Sequence, residues 1–264
     1  MPRALVRAPS PRLAEGLVTH IERSGTVDPD LARQQWDAYR AALTGAGLEL
    51  VDVEPAPDLP DSVFIEDALL VVDDVAVITA PGARERREEV NGARVAARGL
   101  GLETVELADG HRGEHDEPVR LDGGDVLKVA DTLYVGVGGR TTHAGAAALG
   151  RLVADLGRRV ETVPLTLTLH LKSQVTALPD GTIVGYAPLV DDASRWPAFL
   201  EVPEPEGAHV VALDEQTVLM ADAAPRSADL FRERGLSVVA VDISEFIKLE
   251  GCVTCLSVRQ HPWD

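Results

Sequence analysis

LDGGDVLKVADTLYVGVGGRTTHAGAAALGRLVADLGRRVETVPL, residues 121–165, carries the pattern that decides the fold. Two short β-rich runs, GGDVLKV and TLYVGVG, are joined by a polar turn. Helical spacing follows, because Ala146, Leu149, Leu152, Val153 and Leu156 fall on one face and Thr141 or Thr142 can cap the start. RVETVPL then returns as a strand. The unit reads ββαβ.

The same order recurs at a period of about 40 to 60 residues. Residues 63–108 read VFIEDALLVV, an Asp73-Asp74 turn, VAVIT, a charged helix from about Arg84 to Gly99, and ETVELA. A third copy runs from LKSQVTAL through GTIVGY to a Pro-rich patch near Glu201 to Gly207, where its helix is short. The fourth comprises AHVVAL, TVLMA, a helix over Ala223 to Gly235, and SVVAVDI. LVRAP, a helix from about Pro29 to Gly45, and LELVDV lack a preceding strand pair, which the C-terminal KLEGCVTCLSVRQ can supply. Five ββαβ units therefore close into a ring through the two ends of the chain. Closure leaves few sheet edges exposed and brings the loops of all units to one axis. An open doubly wound α/β sheet is the alternative. Hairpin turns at Asp73-Asp74 and Asp180-Gly181 speak against it.

With 264 residues and 45% hydrophobic content, the chain can bury a full core, and no linker divides it. The expectation is one catalytic domain over residues 1–264. The formal net charge of −18 repels phosphate backbones and anionic lipids, so neither nucleic acid nor membrane is an expected partner, whereas a cationic substrate is attracted. MPRALVRAP breaks at Pro9 without an apolar leader, and no apolar run reaches the ~18 residues of a spanning helix. A soluble, uncleaved, cytoplasmic protein is expected. Its two cysteines, Cys252 and Cys255, cannot build a disulfide framework and are expected as thiols.

Four polar islands interrupt apolar runs. DSVFIED holds Asp61, Glu66 and Asp67; strand alternation cannot solvate both adjacent acids, unless the segment is an edge or bulge. In RLDGGDVLKV, Asp122 and Asp125 flank Gly123-Gly124, which permit either a close backbone approach or a positive-φ turn with capping aspartates. TLHLKSQVT places His170 between leucines on an expected strand, either as a satisfied core residue or as the base for a facing cysteine. In EGCVTCLSV the cysteines read as a buried strand end beside Gly251. A thioredoxin-like redox pair would precede a helix, and structural zinc would need two more ligands. One reactive thiol, Cys255, beside a packed Cys252 fits better.

In this order, DSVFIED, LDGGDVL, GGRTTHAG, HLKS and KLEGCVTCLSV resemble the dimethylarginine dimethylaminohydrolases of the guanidine-modifying, or pentein, superfamily. The resemblance spans nearly the whole chain. It implies a five-bladed α/β propeller with pseudo-fivefold symmetry and hydrolysis of asymmetric dimethylarginine or monomethylarginine to citrulline. By the same resemblance Cys255 is the nucleophile, His170 the general acid/base and Asp122 the carboxylate that orients the histidine. Asp61, Glu66 and Asp67 match substrate-binding acids, Asp67 foremost for the guanidinium. Arg86 and Arg140 match holders of the substrate carboxylate, Leu17 a lid residue, and Leu249 and Glu250 a backbone contact before the cysteine. No metal and no organic cofactor is called for, and the protein is expected as a monomer or homodimer. Arginine deiminase, hydrolysis of another N-substituted arginine, and non-catalytic amino-acid binding are the competing readings.

Overall fold

The structure is a computed structural model describing residues 2–107 and 116–260. Near the start, β1 (Arg3–Arg7) leads through α1 (Pro29–Gly45) to a parallel β2 (Glu49–Val53). Asp28 caps α1 by accepting from the N–H groups of Asp30 and Leu31, and Pro29 occupies the first turn, where no amide donor is needed. The helix buries Ala32, Gln35, Trp36, Tyr39 and Leu43, one face at helical spacing.

Four hairpin-plus-crossover units follow. β3 (Leu69–Val72) and β4 (Val75–Ile78) form a hairpin whose Asp73 takes a positive φ, and α2 (Val90–Gly99) returns the chain to a parallel β5 (Glu103–Glu106). β6 (Val126–Val129), β7 (Thr132–Val137), α3 (His143–Ala154) and β8 (Arg159–Pro164) repeat the order. β9 (Val175–Ala177), β10 (Ile183–Gly185) and β11 (Phe199–Glu201) form the next blade, and β12 (Val210–Ala212), β13 (Thr217–Ala221), α4 (Pro225–Glu233) and β14 (Ser237–Val241) the last of the four. After α5 (Ser244–Ile247), β15 (Val258–Gln260) pairs antiparallel with β1, with Arg3 opposite Gln260. The order β15-β1-β2 matches that of β3-β4-β5 and its counterparts. The fold is a five-bladed α/β propeller whose fifth blade is closed by both chain ends.

Burial grades outward across a blade. β3 is buried along its whole length, whereas β2, β5, β8 and β14 are mostly half-buried or exposed. The first strands of neighbouring blades pack together, β15 beside β3, β6 beside β9 and β9 beside β12. Continuous apolar runs therefore belong at the axis and charged, alternating ones at the rim.

Several local expectations change. The cysteines are not in a strand, because β15 begins only at Val258 and residues 253–256 are a turn. Their apolar character comes from burial in a turn clamped by the Tyr39 hydroxyl, which donates to the Val253 carbonyl at 2.9 Å. Likewise Ile65–Asp67, Gly123–Asp125 and Leu171–Ser173 are short 3₁₀ turns that lead into β3, β6 and β9, and His170 immediately precedes the last of them. The helix expected over Arg84–Gly99 is divided into a 3₁₀ segment, Arg84–Glu89, and α2. In the third blade two 3₁₀ turns, Ala187–Leu189 and Ala193–Arg195, replace the helix, since Pro188 and Pro197 deny it continuous backbone bonding. The Pro-rich patch lies after β11 as a turn, Pro205–Ala208, that leads towards the next blade.

Leu5 sits fully buried on β1, opposite Val258 on one side and Val51 on the other. Leu5→Ala is expected to lower unfolding free energy by about 2–5 kcal/mol, read from a urea titration monitored by far-UV circular dichroism.

Candidate active site

The turns that precede the first strands of successive blades meet at the axis. Asp67, at the end of the turn before β3, is buried, and its Oδ1 accepts from the Gly124 N–H at 2.9 Å while Oδ2 pairs with Arg86. The same Oδ1 lies 3.8 Å from His170 Nε2. His170 Nε2 is 3.0 Å from Asp122 Oδ2, and Asp122 also accepts from the Gly82 N–H at 2.7 Å and Arg140 Nη1 at 3.4 Å. Asp67, Asp122 and His170 thus come together from three blades.

Glycine makes this possible. Neither Gly123 nor Gly124 has positive φ; both are sites of close approach. A Cβ on Gly123 would stand 2.0 Å from the Glu66 carbonyl oxygen, and one on Gly124 would stand 2.7 Å from both Asp67 Oδ1 and His170 Nδ1.

Cys255 joins through the backbone, its carbonyl accepting from the Glu66 N–H at 3.4 Å. Its Sγ lies 3.2 Å from that of Cys252, a contact that ties the two thiols to one another. Their mutual hydrogen bond favours ionisation of Cys252 and opposes that of Cys255. Burial and the facing Glu66 and Asp67 push the Cys255 thiol further up.

Glu66 is buried beside Asp67 and points to the other side of its turn. Lys172 Nζ donates to its Oε1 at 2.6 Å and the Thr254 hydroxyl to its Oε2 at 3.0 Å, with Arg259 3.9 Å away. Burial raises its pKa, against the opposing pull of Lys172 and Arg259. Asp61 is buried too, and accepts from the Leu17 N–H at 3.1 and 3.2 Å; burial raises its pKa against the pull of Arg86. Glu250, at positive φ, accepts from the N–H groups of Thr19, His20 and Ile21 at 2.8, 2.6 and 3.1 Å, while Leu249 is buried against Gly16. Segment 17–21 is thereby held by two carboxylates.

The arginines differ. Arg86 is buried and spends its donors inside the protein, on Glu89, Asp67 and the carbonyls of Phe64 and Asp61. Arg140 reaches Asp122 at 3.4 Å and keeps a margin of exposure.

Sequence reasoning named Asp125 only as an acid flanking the glycines, and missed Lys172, Thr141 and Glu89 as supports. Asp125, fully enclosed, accepts from the Leu171 N–H at 3.0 Å and the Thr141 hydroxyl at 2.6 Å, and that hydroxyl accepts from the Asp122 N–H at 3.1 Å. One carboxyl therefore braces the backbone on which both Asp122 and His170 stand. Burial drives the Asp125 pKa up to about 7. Its place in DGGD was the signal; Lys172, Thr141 and Glu89 carried none.

Burial alone would lower the His170 pKa, but Asp67, Asp125 and Asp122 outweigh it and raise the value to about 9. Asp67 shows the converse: burial would raise its pKa, yet His170 and Arg86 hold it below the usual carboxylate range. Atoms of Asp67, Asp122 and His170 lie within 4.8 Å of one another, a spacing that could hold a metal ion. There Asp67 is already paired with Arg86 and Asp122 with Arg140.

A five-bladed ring that gathers an imidazole and two carboxylates at its axis, beside a turn that carries a buried thiol, is the arrangement of the guanidine-modifying class. No protein-family model matches the chain. The dimethylarginine dimethylaminohydrolase of Streptomyces coelicolor is 55% identical over 257 residues, covering 97% of this chain and 96% of that protein. That of Pseudomonas aeruginosa is 30% identical over 97% of this chain and 98% of its own. A solved structure of DDAH from Pseudomonas aeruginosa, a cysteine-to-serine mutant complexed with citrulline, superposes with a TM-score of 0.86 at 27% identity, over 97% of this chain and 98% of that one. The chain belongs to the dimethylarginine dimethylaminohydrolase family.

His170 gives a pH signature. With a folded pKa of about 9 against 6.5 unfolded, its contribution to stability is fully present below 6.5 and is lost as pH rises through 9. The stability difference between wild type and His170→Asn, from denaturant titrations across that window, is expected to shrink steadily as pH rises. Gly123→Ala is expected to cost about 1–3 kcal/mol in the same assay, because backbone must move to admit the methyl group.

Proposed function

We infer that the protein hydrolyses asymmetric dimethylarginine and monomethylarginine to citrulline, releasing dimethylamine or methylamine. The observation that carries this is the meeting of Asp67, Asp122 and His170 beside the turn that holds Cys255. A guanidinium carbon is a poor electrophile because its charge is delocalised. Hydrolysis needs carboxylates to keep the group cationic, a soft nucleophile and a proton donor for the amine.

In this reading Cys255 is the nucleophile. The Cys252 hydrogen bond, burial and the nearby acids hold the thiol up; cation binding beside Asp67 offsets the acids and favours the thiolate when substrate arrives. Its sulfur attacks the guanidinium carbon. His170, protonated near neutrality, gives its proton to the departing amine as the C–N bond breaks, leaving a thiouronium on the sulfur. Neutral His170 then takes a proton from water, whose oxygen bonds to carbon; the C–S bond breaks, the water's second proton passes to the departing sulfur, and citrulline leaves. Asp122 holds the imidazole in place through the 3.0 Å contact. Asp61 and Glu66 complete the acidic lining, Glu66 chiefly by fixing Lys172 and Thr254.

Arg140 is the better holder of the substrate's α-carboxylate, since Arg86 is largely committed to Glu89 and Asp67. Segment 17–21 acts as a lid, with Leu17, Leu249 and Glu250 at its hinge contacts; it opens by releasing Asp61 and Glu250. A cationic amino acid is thus the small-molecule partner.

Incubation with dimethylarginine and with arginine, measuring citrulline together with the released amine, tests the assignment. Citrulline and dimethylamine from the methylated substrate are expected. Citrulline from arginine alone rejects the assignment in favour of a deiminase, and none from either points to a binding protein. Cys255→Ser should abolish turnover, and His170→Asn should lower kcat by roughly 10²–10⁴.

A further inference from the structure

Only one thiol of a pair enters that mechanism. The other, Cys252, is buried with its Sγ 3.2 Å from that of Cys255. The turn that presents them is closed by the Cys255 N–H, which donates to the Cys252 carbonyl at 3.1 Å. It is held from both sides. A Cβ on the preceding Gly251 would stand 2.4 Å from the Phe64 ring, and the Tyr39 hydroxyl grips the Val253 carbonyl. The sulfurs are therefore kept together by the fold and need approach by only roughly 1 Å to reach bonding distance.

We propose that Cys252 and Cys255 form a reversible oxidation site, at which a hydroperoxide converts the two thiols to an intramolecular disulfide and withdraws the Cys255 sulfur from catalysis. The proposal rests on the reading of Cys255 as nucleophile. A cleft that admits a guanidinium to Cys255 admits a peroxide. A proton shifted along the 3.2 Å sulfur–sulfur contact onto Cys252 leaves Cys255 as the thiolate that attacks the peroxide O–O bond, becoming a sulfenic acid while the other oxygen leaves as hydroxide. Cys252 then attacks the sulfenic sulfur; the S–S bond forms, the S–O bond breaks, and the hydroxyl leaves with the remaining proton as water. Two thiols and one hydrogen peroxide give one disulfide and two waters, sulfur being oxidised and peroxide oxygen reduced.

Cys252 is thus a resolving residue. In its absence the sulfenic acid stays open to a second peroxide, and the sulfinic acid that results is not reduced by thiols. The device differs from a thioredoxin-like exchange site, because the turn leads into β15 and no helix N-terminus activates either sulfur.

Hydrogen peroxide applied to the folded protein tests this, with peptide mass and activity read in parallel. In wild type the peptide containing both cysteines should lose about 2 Da, resist alkylation at both sulfurs, and regain its mass with full activity after dithiothreitol. Cys252→Ser, each sample scored against its own reduced activity, should gain about 32 Da at Cys255 and recover little. Cys252→Ala serves as a second variant, and if neither folds the wild-type mass decides. Sulfinic acid at wild-type Cys255 without a disulfide, or equal recovery in the variants, overturns the proposal. Should the reduced wild type fail to turn over methylarginines, the function falls, while the mass shift still decides whether the disulfide forms.

Discussion

A buried carboxylate must be compensated, and at Asp67 the compensation ties the ring together. Arg86 comes from the same blade, the Gly124 N–H from the second, and the field of His170 from the third. None of these partners is close in sequence. An uncompensated charge at that depth would cost several kcal/mol, so the first three blades are coupled in angle as well as in contact. Asp122 repeats the device with Gly82, Arg140 and His170. The polar centre is thus a structural hub before it is a site.

The residues read as catalytic, with Glu66 and Asp67, reach that hub from equivalent places. The turns Ile65–Asp67 and Gly123–Asp125, His170 with Leu171–Ser173, and the cysteine turn all lie immediately ahead of the first strand of a blade. Pseudo-symmetry lets unrelated side chains converge without long excursions of the backbone. It also divides labour within a turn: adjacent Glu66 and Asp67 point to different neighbours, one to Lys172 and Thr254, the other to Arg86 and His170.

What could be read from the chain alone divides along the same line. Hairpins and rim helices are local features, written in the Asp73-Asp74 and Asp180-Gly181 turns and the apolar face of α3, and they were legible. Of the two candidate caps, Thr142 accepts from the Gly145 N–H, while Thr141 turns inward to Asp125. The inner turns were misread as strand because burial makes them apolar, as in VFIED and CVTCL, whatever their backbone does. The third blade lost its helix to two prolines. Supports such as Lys172, 106 residues from Glu66, leave no local trace, because the pairing exists only once the ring has closed.

That closure has a temporal side. β1 pairs with β2 early in the chain, but its other neighbour, β15, lies at the opposite end, and the segment immediately before β15 carries both sulfurs. During synthesis the acids and the imidazole can gather while the thiols have yet to emerge. A chain without that segment leaves one edge of β1 unpaired, an open seam in the ring.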